Sequence, residues 1–413
     1  MTSGGQKVIF LVDMQSFYAS VEEASDFKLN GKAVAVCGDP NKRHGITLAA
    51  NPKAKKMGVK TCMPVWEVKN HCPEVSLVTP HMSKYISASL QITEILYQFT
   101  DRVEIFSIDE QFLDLTDVLF FFGKPNRIAG LIQQKIWDEV GIRAKIGIGE
   151  NKIQAKMACD NFAKKNKDGV FKLNYLNYKF HTGPLPIERL FGVGHKMKYN
   201  LERVGIYTIK DLMDRPVEDL KKKWGVVGNV LWLNAQGIDH SPVERNSTEL
   251  YKGVSNSITL PRDYDRQIDI KVVILEISEE VCRRVRAMGK KGRTIHLTVR
   301  GADFKYPTGF SRQKTLFSAS DYTMDIYNEA IEIFNEFWDL KPIRSIGISL
   351  TQLENSDEVQ LEFFSNIIKK KQLSKVVDEI RESYGKTAIF RASSLLPRGL
   401  LFDRSSKIGG HEK

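Results

Sequence analysis

Two apolar segments of this chain carry acidic residues at positions where a buried strand is expected. The first is VIFLVDM at residues 8–14, and the second is FSIDEQFLD at residues 106–114. A short continuous apolar run of this kind predicts a buried strand. A carboxylate is costly in such a place unless a cation or a proton compensates it. The two segments therefore predict a buried sheet that brings acidic side chains into a compensated site.

The acidic residues concerned are Asp13, Asp109 and Glu110. Neither segment contains a Lys or Arg that could balance them, so convergence of the three would indicate a divalent metal site. Hard oxygen ligands favour magnesium. Two such ions can activate a hydroxyl and stabilise a leaving phosphate oxygen. The structural alternative is that a strand-end Asp caps a turn and that Asp-Glu is a common surface dipeptide.

The first acidic segment continues into DMQSFYASVE at residues 13–22, with an aromatic pair just after the acid. This run resembles the opening motif of the Y-family translesion DNA polymerases, and SIDE at residues 107–110 resembles their second motif. The resemblance covers roughly residues 6–353 and is closest to the UmuC/DinB branch, in the form of Gram-positive UV-damage repair proteins. It implies error-prone DNA synthesis past damaged bases, by two-metal transfer of deoxynucleotides to a primer 3′-hydroxyl. No second carboxylate cluster suggests a proofreading exonuclease.

Length and charge agree with a multidomain protein that binds a polyanion. A chain of 413 residues is too long for one ordinary core, so two to four domains are expected. The net charge of +11 favours a polyanionic partner, although a solvated basic surface would explain it equally well. Five scattered cysteines without a Cys-x-x-Cys pair make a structural zinc site improbable and fit a reducing cytosol. With no signal-peptide plan and no membrane-length apolar run, we expect a cytoplasmic protein without membrane association.

Strands alternate with helices in the first part of the chain, which predicts an α/β multidomain protein with a palm-like core. Helices are expected near 16–24, 83–99 and 128–140 and from about Asn151, and a helix over 268–288 is expected to bury a stripe formed by Val273, Ile277, Val281 and Val285. A hairpin is expected over 103–115, with its bend near Asp109 because neighbouring strand side chains point to opposite faces. The resemblance implies a right-hand polymerase with small fingers, a helix-hairpin-helix thumb and a βαββαβ little finger. The expected limits are palm 1–24 and 84–170, fingers 25–83, thumb 171–237, linker 238–250, little finger 251–353 and C-terminal tail 354–413.

Two segments are candidates for DNA binding. The Gly-Val-Gly turn at Gly192 and Gly194 would let backbone N–H groups face a phosphate without side-chain obstruction, although an ordinary helical hairpin would also fit. The second segment is a basic run with no interrupting acid, which favours phosphate binding over a merely solvated helix end. Its members are Arg283, Arg284, Arg286, Lys290, Lys291 and Arg293.

The resemblance also implies roles for the residues around the acids. Asp13, Asp109 and Glu110 would hold two Mg²⁺ ions, with the backbone carbonyl of Met14 completing one coordination shell. Tyr18 would be the steric gate that leaves no room for a ribose 2′-hydroxyl. Phe17 would stack beside the sugar or base. Core packing on an amphipathic helix remains the alternative for both rings.

The triphosphate contacts depart from the family pattern. Relatives carry a Tyr-x-x-Arg arrangement in the fingers, whereas Pro52 and Lys55 stand at the Tyr and Arg positions here. Lysine is a point charge and not a bidentate fork, so phosphate orientation would be looser. Lys164 matches the palm lysine that touches the triphosphate, with Lys165 as the alternative register. A solvated charged face is the structural alternative for these lysines.

A partner is expected at the segment QLEFF, residues 360–364, which resembles a bacterial sliding-clamp motif. Its candidate contacts are Gln360, Leu361, Phe363 and Phe364. The apolar pattern continues through residues 367–380, so helical packing of the tail is the alternative.

The resemblance thus predicts a monomer that binds primer-template DNA, deoxynucleoside triphosphates and a sliding clamp. Two other functions are weighed against it. A catalytically weak, polymerase-like repair scaffold would be expected to lose the metal carboxylates, whereas all three are present. A nucleotidyl cyclase would have no use for the glycine hairpin or the basic domain.

Overall fold

The computed structural model describes residues 7–39, 45–244, 251–303, 305–356 and 367–412. The chain divides into two compact units. Unit 1 comprises Met1–Pro40 and Gly45–Ser247, and unit 2 comprises Asn41–His44 and Thr248–Lys413. Each unit has its own hydrophobic core.

The described residues of unit 1 form two sheets. Its strands are β1 Ile9–Met14, β2 Val34–Cys37, β3 Thr47–Ala50, β4 Ser76–Val78, β5 Val103–Ile105, β6 Glu110–Asp114, β7 Ala144–Gly149 and β8 Val170–Lys172. The larger sheet has the order β5-β6-β1-β7-β8, with β1 antiparallel to both of its neighbours. The smaller sheet has the order β3-β2-β4. Every residue of β1 is buried, which confirms the buried strand predicted from its apolar run.

The helices in the described part of unit 1 include the four predicted by position, near 16–24, 83–99, 128–140 and Asn151, and each lies close to its expected place. The helices of this part are α1 Phe17–Ser25, α2 Pro52–Lys56, α3 Val65–His71, α4 Met82–Tyr97, α5 Leu119–Phe122, α6 Pro125–Val140, α7 Lys152–Ala158, α8 Tyr178–Thr182, α9 His195–Glu202, α10 Ile209–Met213 and α11 Val217–Gln236. The helix expected near Asn151 begins there because the Asn151 side chain accepts a hydrogen bond from the Gln154 backbone N–H. The predicted bend between β5 and β6 is also present, with Asp109 immediately before β6.

A close approach of α7 to the sheet positions the residues that follow it. A Cβ on Gly147 of β7 would lie 2.0 Å from the carbonyl oxygen of Ala155 and 2.4 Å from the backbone nitrogen of Cys159. Only glycine therefore allows the helix to lie this near the strand. The helix then continues as a π-helical turn over Cys159–Ala163. Such turns are frequent at functional sites.

The glycine hairpin lies between a one-turn 3₁₀ helix at Ile187–Arg189 and α9. Gly192 has φ 96°, a left-handed conformation that disfavours any residue with a Cβ. Val193 is buried in the local core, whereas Gly192 and Gly194 are exposed. The short helices around the hairpin share this core, so the turn is presented by a packed scaffold.

The expected linker at 238–250 is only partly a linker. Val243 is buried against residues of the larger sheet, including Ile9 and Phe112. The backbone N–H of Glu244 donates to Glu104 at 3.2 Å. The first half of this stretch is therefore part of unit 1, which its polar composition does not reveal.

Unit 2 has the predicted βαββαβ order. Its elements are β9 Gly253–Tyr264, α12 Gln267–Ala287, β10 Lys290–Gly301, β11 Gly309–Ser320, α13 Thr323–Phe337 and β12 Ile343–Asn355. The sheet order is β11-β10-β12-β9. The apolar stripe predicted on α12 is fully buried, and its members are Val273, Ile277, Val281 and Val285.

Beyond β12, the C-terminal segment packs on α12. It contains α14 Ile367–Tyr384 and α15 Leu401–Ser405. Glu279 of α12 receives Arg381 at 3.3 Å and Arg391 at 3.1 Å, and buried Glu276 accepts the Leu400 backbone N–H at 3.0 Å. The described part of the tail is thus helical and held to α12 by polar contacts, whereas Leu373 and Val376 of its apolar pattern are exposed.

The cysteines in the described segments are free, and all except Cys62 are buried. The buried thiols therefore pack as small apolar groups. No helix in the described segments is long and apolar enough to cross a membrane.

Candidate active site

Strand register brings two of the three predicted carboxylates together. Asp13 pairs with Glu110 across the antiparallel strands β1 and β6. Directly opposed residues project to the same face of a sheet, so their side chains are neighbours. The two acidic segments recognised in the sequence therefore form one site.

Asp13 is the buried carboxyl group of this site, and its burial affects its pKa. It is 5% exposed. Burial, reinforced by the Glu110 carboxyl and opposed by Lys164, raises the pKa of Asp13 to about 7. A low-dielectric position disfavours the charged form, and a second carboxylate adds to the penalty. The site therefore favours an additional positive charge.

Two lysines from the α7 segment supply part of that charge. Lys164 Nζ lies 2.7 Å from Asp13 Oδ2 and 2.8 Å from Asp160 Oδ1. Lys156 Nζ lies 2.6 Å from Glu110 Oε1 and 3.0 Å from Asp160 Oδ2. Burial lowers the pKa of Lys164, but Asp13 and Asp160 outweigh it and hold that pKa above its usual range. Each lysine thus bridges Asp160 to one predicted metal ligand.

Lys156 and Asp160 were missed at the sequence level. Together with Lys164 they fall at successive spacings of four, an alternation of charge that usually indicates a solvated helix face. The segment instead faces the sheet because Gly147 allows close packing. Among the described residues, Asp13, Cys159 and Asp160 are a group of three donors within 4.8 Å of one another. Burial raises the pKa of the Cys159 thiol, so Cys159 is a poor ligand for a hard cation.

Asp109 lies beside this pair, in the bend before β6. Its backbone carbonyl accepts the Met14 N–H at 2.9 Å, which ties the two acidic segments together. Its carboxylate accepts the Ser107 hydroxyl at 2.7 Å. The negative charge of Asp109 also contributes to the raised pKa of Tyr18, after burial. Asp109, Met14 and Tyr18 therefore belong to the same neighbourhood as Asp13 and Glu110.

The aromatic pair separates into two different environments. Tyr18 is partly exposed and stacks on Tyr85, with ring centroids 4.3 Å apart and planes 15° apart. The Tyr85 hydroxyl donates to buried Glu22 at 2.7 Å, so Tyr18 rests on a fixed support. Phe17 is 3% exposed and packs in the interior. The packing alternative therefore fits Phe17, whereas Tyr18 retains a surface for a ligand.

The two lysines predicted to contact a triphosphate lie near one another. Lys55 Nζ donates to the Ser16 hydroxyl at 2.9 Å. Burial and then the positive charge of Lys164 lower the pKa of Lys55, whereas Asp13 raises it. The Lys164 register is favoured over Lys165 because Lys164 reaches Asp13. Pro52 is the first residue of α2, where a missing N–H costs nothing.

The predicted basic run does not form one open cationic face. Arg286 is 13% exposed in its side chain and pairs with Asp378 of α14 at 2.6 Å. Arg283 and Arg284 both contact Glu280. Lys291 pairs with Glu354 at 3.1 Å, and Lys290 donates to Asn355 at 2.6 Å.

Arg293 is different. It is exposed and donates to the backbone carbonyls of Leu316 and Phe317. Arg284 is exposed as well, but it is paired with Glu280. Arg293 is therefore the better candidate for a phosphate contact, and Arg286, which is only partly exposed and paired, is the poorest. The clamp-motif residues 360–364 lie outside the described residues.

Comparison with known proteins gives the same assignment. Residues 12–160 match the impB/mucB/samB family, residues 251–363 match the C-terminal domain of that family, and residues 188–239 match the thumb domain of DNA polymerase-iota. DNA polymerase IV 2 of Bacillus subtilis (strain 168) is 51% identical over 409 residues, which is 99% of each chain. UvrX of the same organism is 38% identical over 416 residues and 98% of each chain.

A solved structure supports the fold. The Y-family DNA polymerase chimera Dbh-Dpo4(243-245)-Dbh has a TM-score of 0.70 and 24% sequence identity, over 84% of this chain and 99% of that chain. The predicted right-hand polymerase architecture is thereby confirmed. The chain belongs to the Y family of DNA polymerases.

Proposed function

We propose that this chain is a DNA-directed DNA polymerase that extends a primer past damaged template bases, without proofreading. The observation that carries the proposal is the in-register pairing of buried Asp13 with partly exposed Glu110, beside Asp109. A non-catalytic scaffold would have no reason to bury Asp13 opposite a second carboxylate at such a cost.

The carboxylates fit divalent magnesium. Lys156 and Lys164 contact three carboxylates, those of Asp13, Glu110 and Asp160, and Asp109 lies beside them, so negative charge is in excess. Burial is the main cause of the raised pKa of Asp13, and the Glu110 carboxyl adds to it. Hard oxygen donors suit magnesium. We propose that Asp13, Asp109, Glu110 and the Met14 carbonyl hold two Mg²⁺ ions.

The chemistry that bound magnesium supplies is activation of the primer 3′-hydroxyl and stabilisation of charge on the transferred phosphate. The protein residues bind and orient the substrates around that chemistry. Lys55 and Lys164 provide positive charge for the triphosphate, as single charges and not bidentate forks. Tyr18, braced by Tyr85, excludes a ribose 2′-hydroxyl. Gly192 and Gly194 leave the hairpin backbone open to a DNA phosphate.

Several further assignments belong to the same proposal. The palm, fingers, thumb and little finger would have the limits given from the sequence, with the stretch up to Glu244 packed on unit 1. In unit 2, Arg293 would contact a DNA phosphate. The tail segment at 360–364 would bind a sliding clamp, which raises the effective concentration of the enzyme at a primer end. The protein would act as a cytoplasmic monomer.

Primer extension tests the function directly. The parental protein should add deoxynucleotides opposite both damaged and undamaged template bases, and only when magnesium is present. Glu110→Gln and Asp109→Asn should each lower extension by at least a hundredfold while primer-template affinity stays within a few-fold, because metal-borne stabilisation is worth several kcal/mol. Extension by the double variant at a tenth of the parental rate would refute the assignment.

A further inference from the structure

Lys156 lies at a junction between the catalytic carboxylates and the DNA-binding hairpin. Its side chain is 9% exposed, and its ammonium group contacts Glu110 and Asp160. The same Nζ lies 5.8 Å from the ring centroid of Phe106 and 5.9 Å from that of Phe191. The two rings meet edge to face, with centroids 6.1 Å apart. The ammonium thus has carboxylates on one side and aromatic faces on the other.

Each ring belongs to a different functional segment. Phe106 immediately precedes the acidic bend, and its backbone N–H donates to the Glu110 carbonyl at 3.0 Å. Phe191 immediately precedes Gly192 of the hairpin, and its carbonyl accepts Asn234 Nδ2 at 3.2 Å. A movement of either segment therefore changes the surroundings of Lys156.

The contacts around Lys156 also fix the orientation of Glu110. One carboxylate oxygen, Oε1, is held by Lys156 at 2.6 Å, and Glu110 lies directly opposite Asp13 in the sheet. A charge-assisted hydrogen bond is short and directional, and it strengthens when water is excluded. The rings of Phe106 and Phe191 are 44% and 40% exposed, but they cover one side of a Lys156 side chain that is only 9% exposed. Without them, solvent would weaken the hold on Glu110.

We propose that Lys156 is a positioning residue that couples the seating of the Gly192–Gly194 hairpin on DNA to the orientation of Glu110, through the Phe106–Phe191 ring pair. The proposal rests on the polymerase function proposed above. It assigns Lys156 no contact with substrate. When the hairpin is seated, Phe191 closes over the ammonium and Glu110 is held in one orientation. When Phe191 is displaced, Glu110 gains freedom and the metal ligands are less well ordered.

The test compares substitutions that differ in one property of the ring. Phe191→Leu keeps apolar volume but removes the aromatic face, whereas Phe191→Tyr keeps the face. We expect Phe191→Leu to lower kcat roughly five- to tenfold, the order of a partly desolvated cation–π contact. Primer-template Kd, measured by fluorescence anisotropy, should stay within about twofold because the hairpin glycines are intact. Phe191→Tyr should retain the parental kcat.

Two further measurements separate positioning from folding. Mn²⁺ binding to the enzyme–DNA complex, followed by electron paramagnetic resonance without nucleotide, should weaken in Phe191→Leu and recover in Phe191→Tyr. Lys156→Met and Phe191→Leu should be non-additive in a double-mutant cycle, because both act through one junction. Phe120→Leu is the matched control, since Phe120 is a 93% exposed ring elsewhere in unit 1.

The outcomes distinguish this inference from the proposed function. A parental protein without template-dependent synthesis refutes the polymerase assignment itself. An active parent whose Phe191→Leu variant keeps its kcat and its Mn²⁺ affinity refutes the coupling. Equal losses in the Leu and Tyr variants, or strictly additive effects with Lys156→Met, refute it as well. Because the Phe191 variants do not disturb the buried ion pair directly, they decide the question even if Lys156→Met fails to fold.

Discussion

Replacement of Asp13 by Asn should make the protein more stable, by an amount that depends on pH. The folded-state pKa of Asp13 is about 7, raised from an ordinary value of 3.8 mainly by burial. Because the pKa of Asp13 is higher in the folded chain than in the unfolded chain, ionisation of Asp13 favours unfolding. Its contribution to the free energy of unfolding is complete below pH 3.8 and is lost as pH rises through 7. The magnitude is at most about 4 kcal/mol, from about 1.4 kcal/mol for each unit of difference.

Asn keeps the size and hydrogen-bonding groups of Asp but does not titrate. The free energy of unfolding of Asp13→Asn relative to the parent should therefore increase between about pH 4 and pH 7 and stay constant above that range. Lys164 reduces the gain, because it loses its partner Asp13 and retains only Asp160. The substitution should also abolish primer extension, so function and stability would change in opposite directions.

Urea unfolding in a chelating buffer, followed by tryptophan fluorescence, measures this effect. Four of the five tryptophans, namely Trp66, Trp137, Trp224 and Trp232, lie in unit 1 together with Asp13. Asp117→Asn is the control for removing one negative charge, because that side chain is 68% exposed. A stability difference between Asp13→Asn and the parent that is the same at about pH 5 and about pH 8 would refute the reasoning.

Three other outcomes are expected. Tyr18→Ala should raise ribonucleotide incorporation relative to deoxynucleotide in single-nucleotide kinetics, and unchanged sugar discrimination would return Tyr18 to a packing role. Arg293→Met should flatten the salt dependence of duplex binding by roughly 0.9 log unit, whereas Arg286→Met should leave the salt slope unchanged and lower the melting temperature of unit 2 by breaking the pair with Asp378. Alanine replacement of Gln360, Leu361, Phe363 and Phe364 should remove sliding-clamp affinity measured by calorimetry, and surviving affinity would exclude this motif as the contact.

Much of the fold was predictable because its signals are local. The apolar run before Asp13, the helix cap at Asn151 and the four-residue stripe on α12 each depend on residues close in sequence. The same holds for the bend at Asp109, since alternation along a strand requires it. The helices and strands that these features predict lie within a few residues of their expected positions.

The partners of charged side chains were not predictable in this way. The basic run contains no acid along the sequence, yet Asp378, which pairs with Arg286, lies 92 residues further along the chain. Likewise, the burial of Val243 depends on a sheet formed by distant strands, and nothing in its polar surroundings indicates it. The composition of a segment shows which charges it carries. Which opposite charges compensate them depends on the elements that pack against the segment in the folded chain.

The active site shows most clearly which features follow from the local sequence and which depend on long-range packing. By itself, the sequence determined which carboxylates belong together, because Asp13 and Asp109-Glu110 end or interrupt apolar strands that can tolerate a charge only at a compensated site. Only the tertiary structure decided that Glu110 lies opposite Asp13 and that Lys156, Asp160 and Lys164 face them. Strand register and helix placement fix those distances, and both depend on long-range packing, including the close approach allowed by Gly147. Electrostatic interactions depend on distance in space, so the compensation of these charges could be known only from the folded chain.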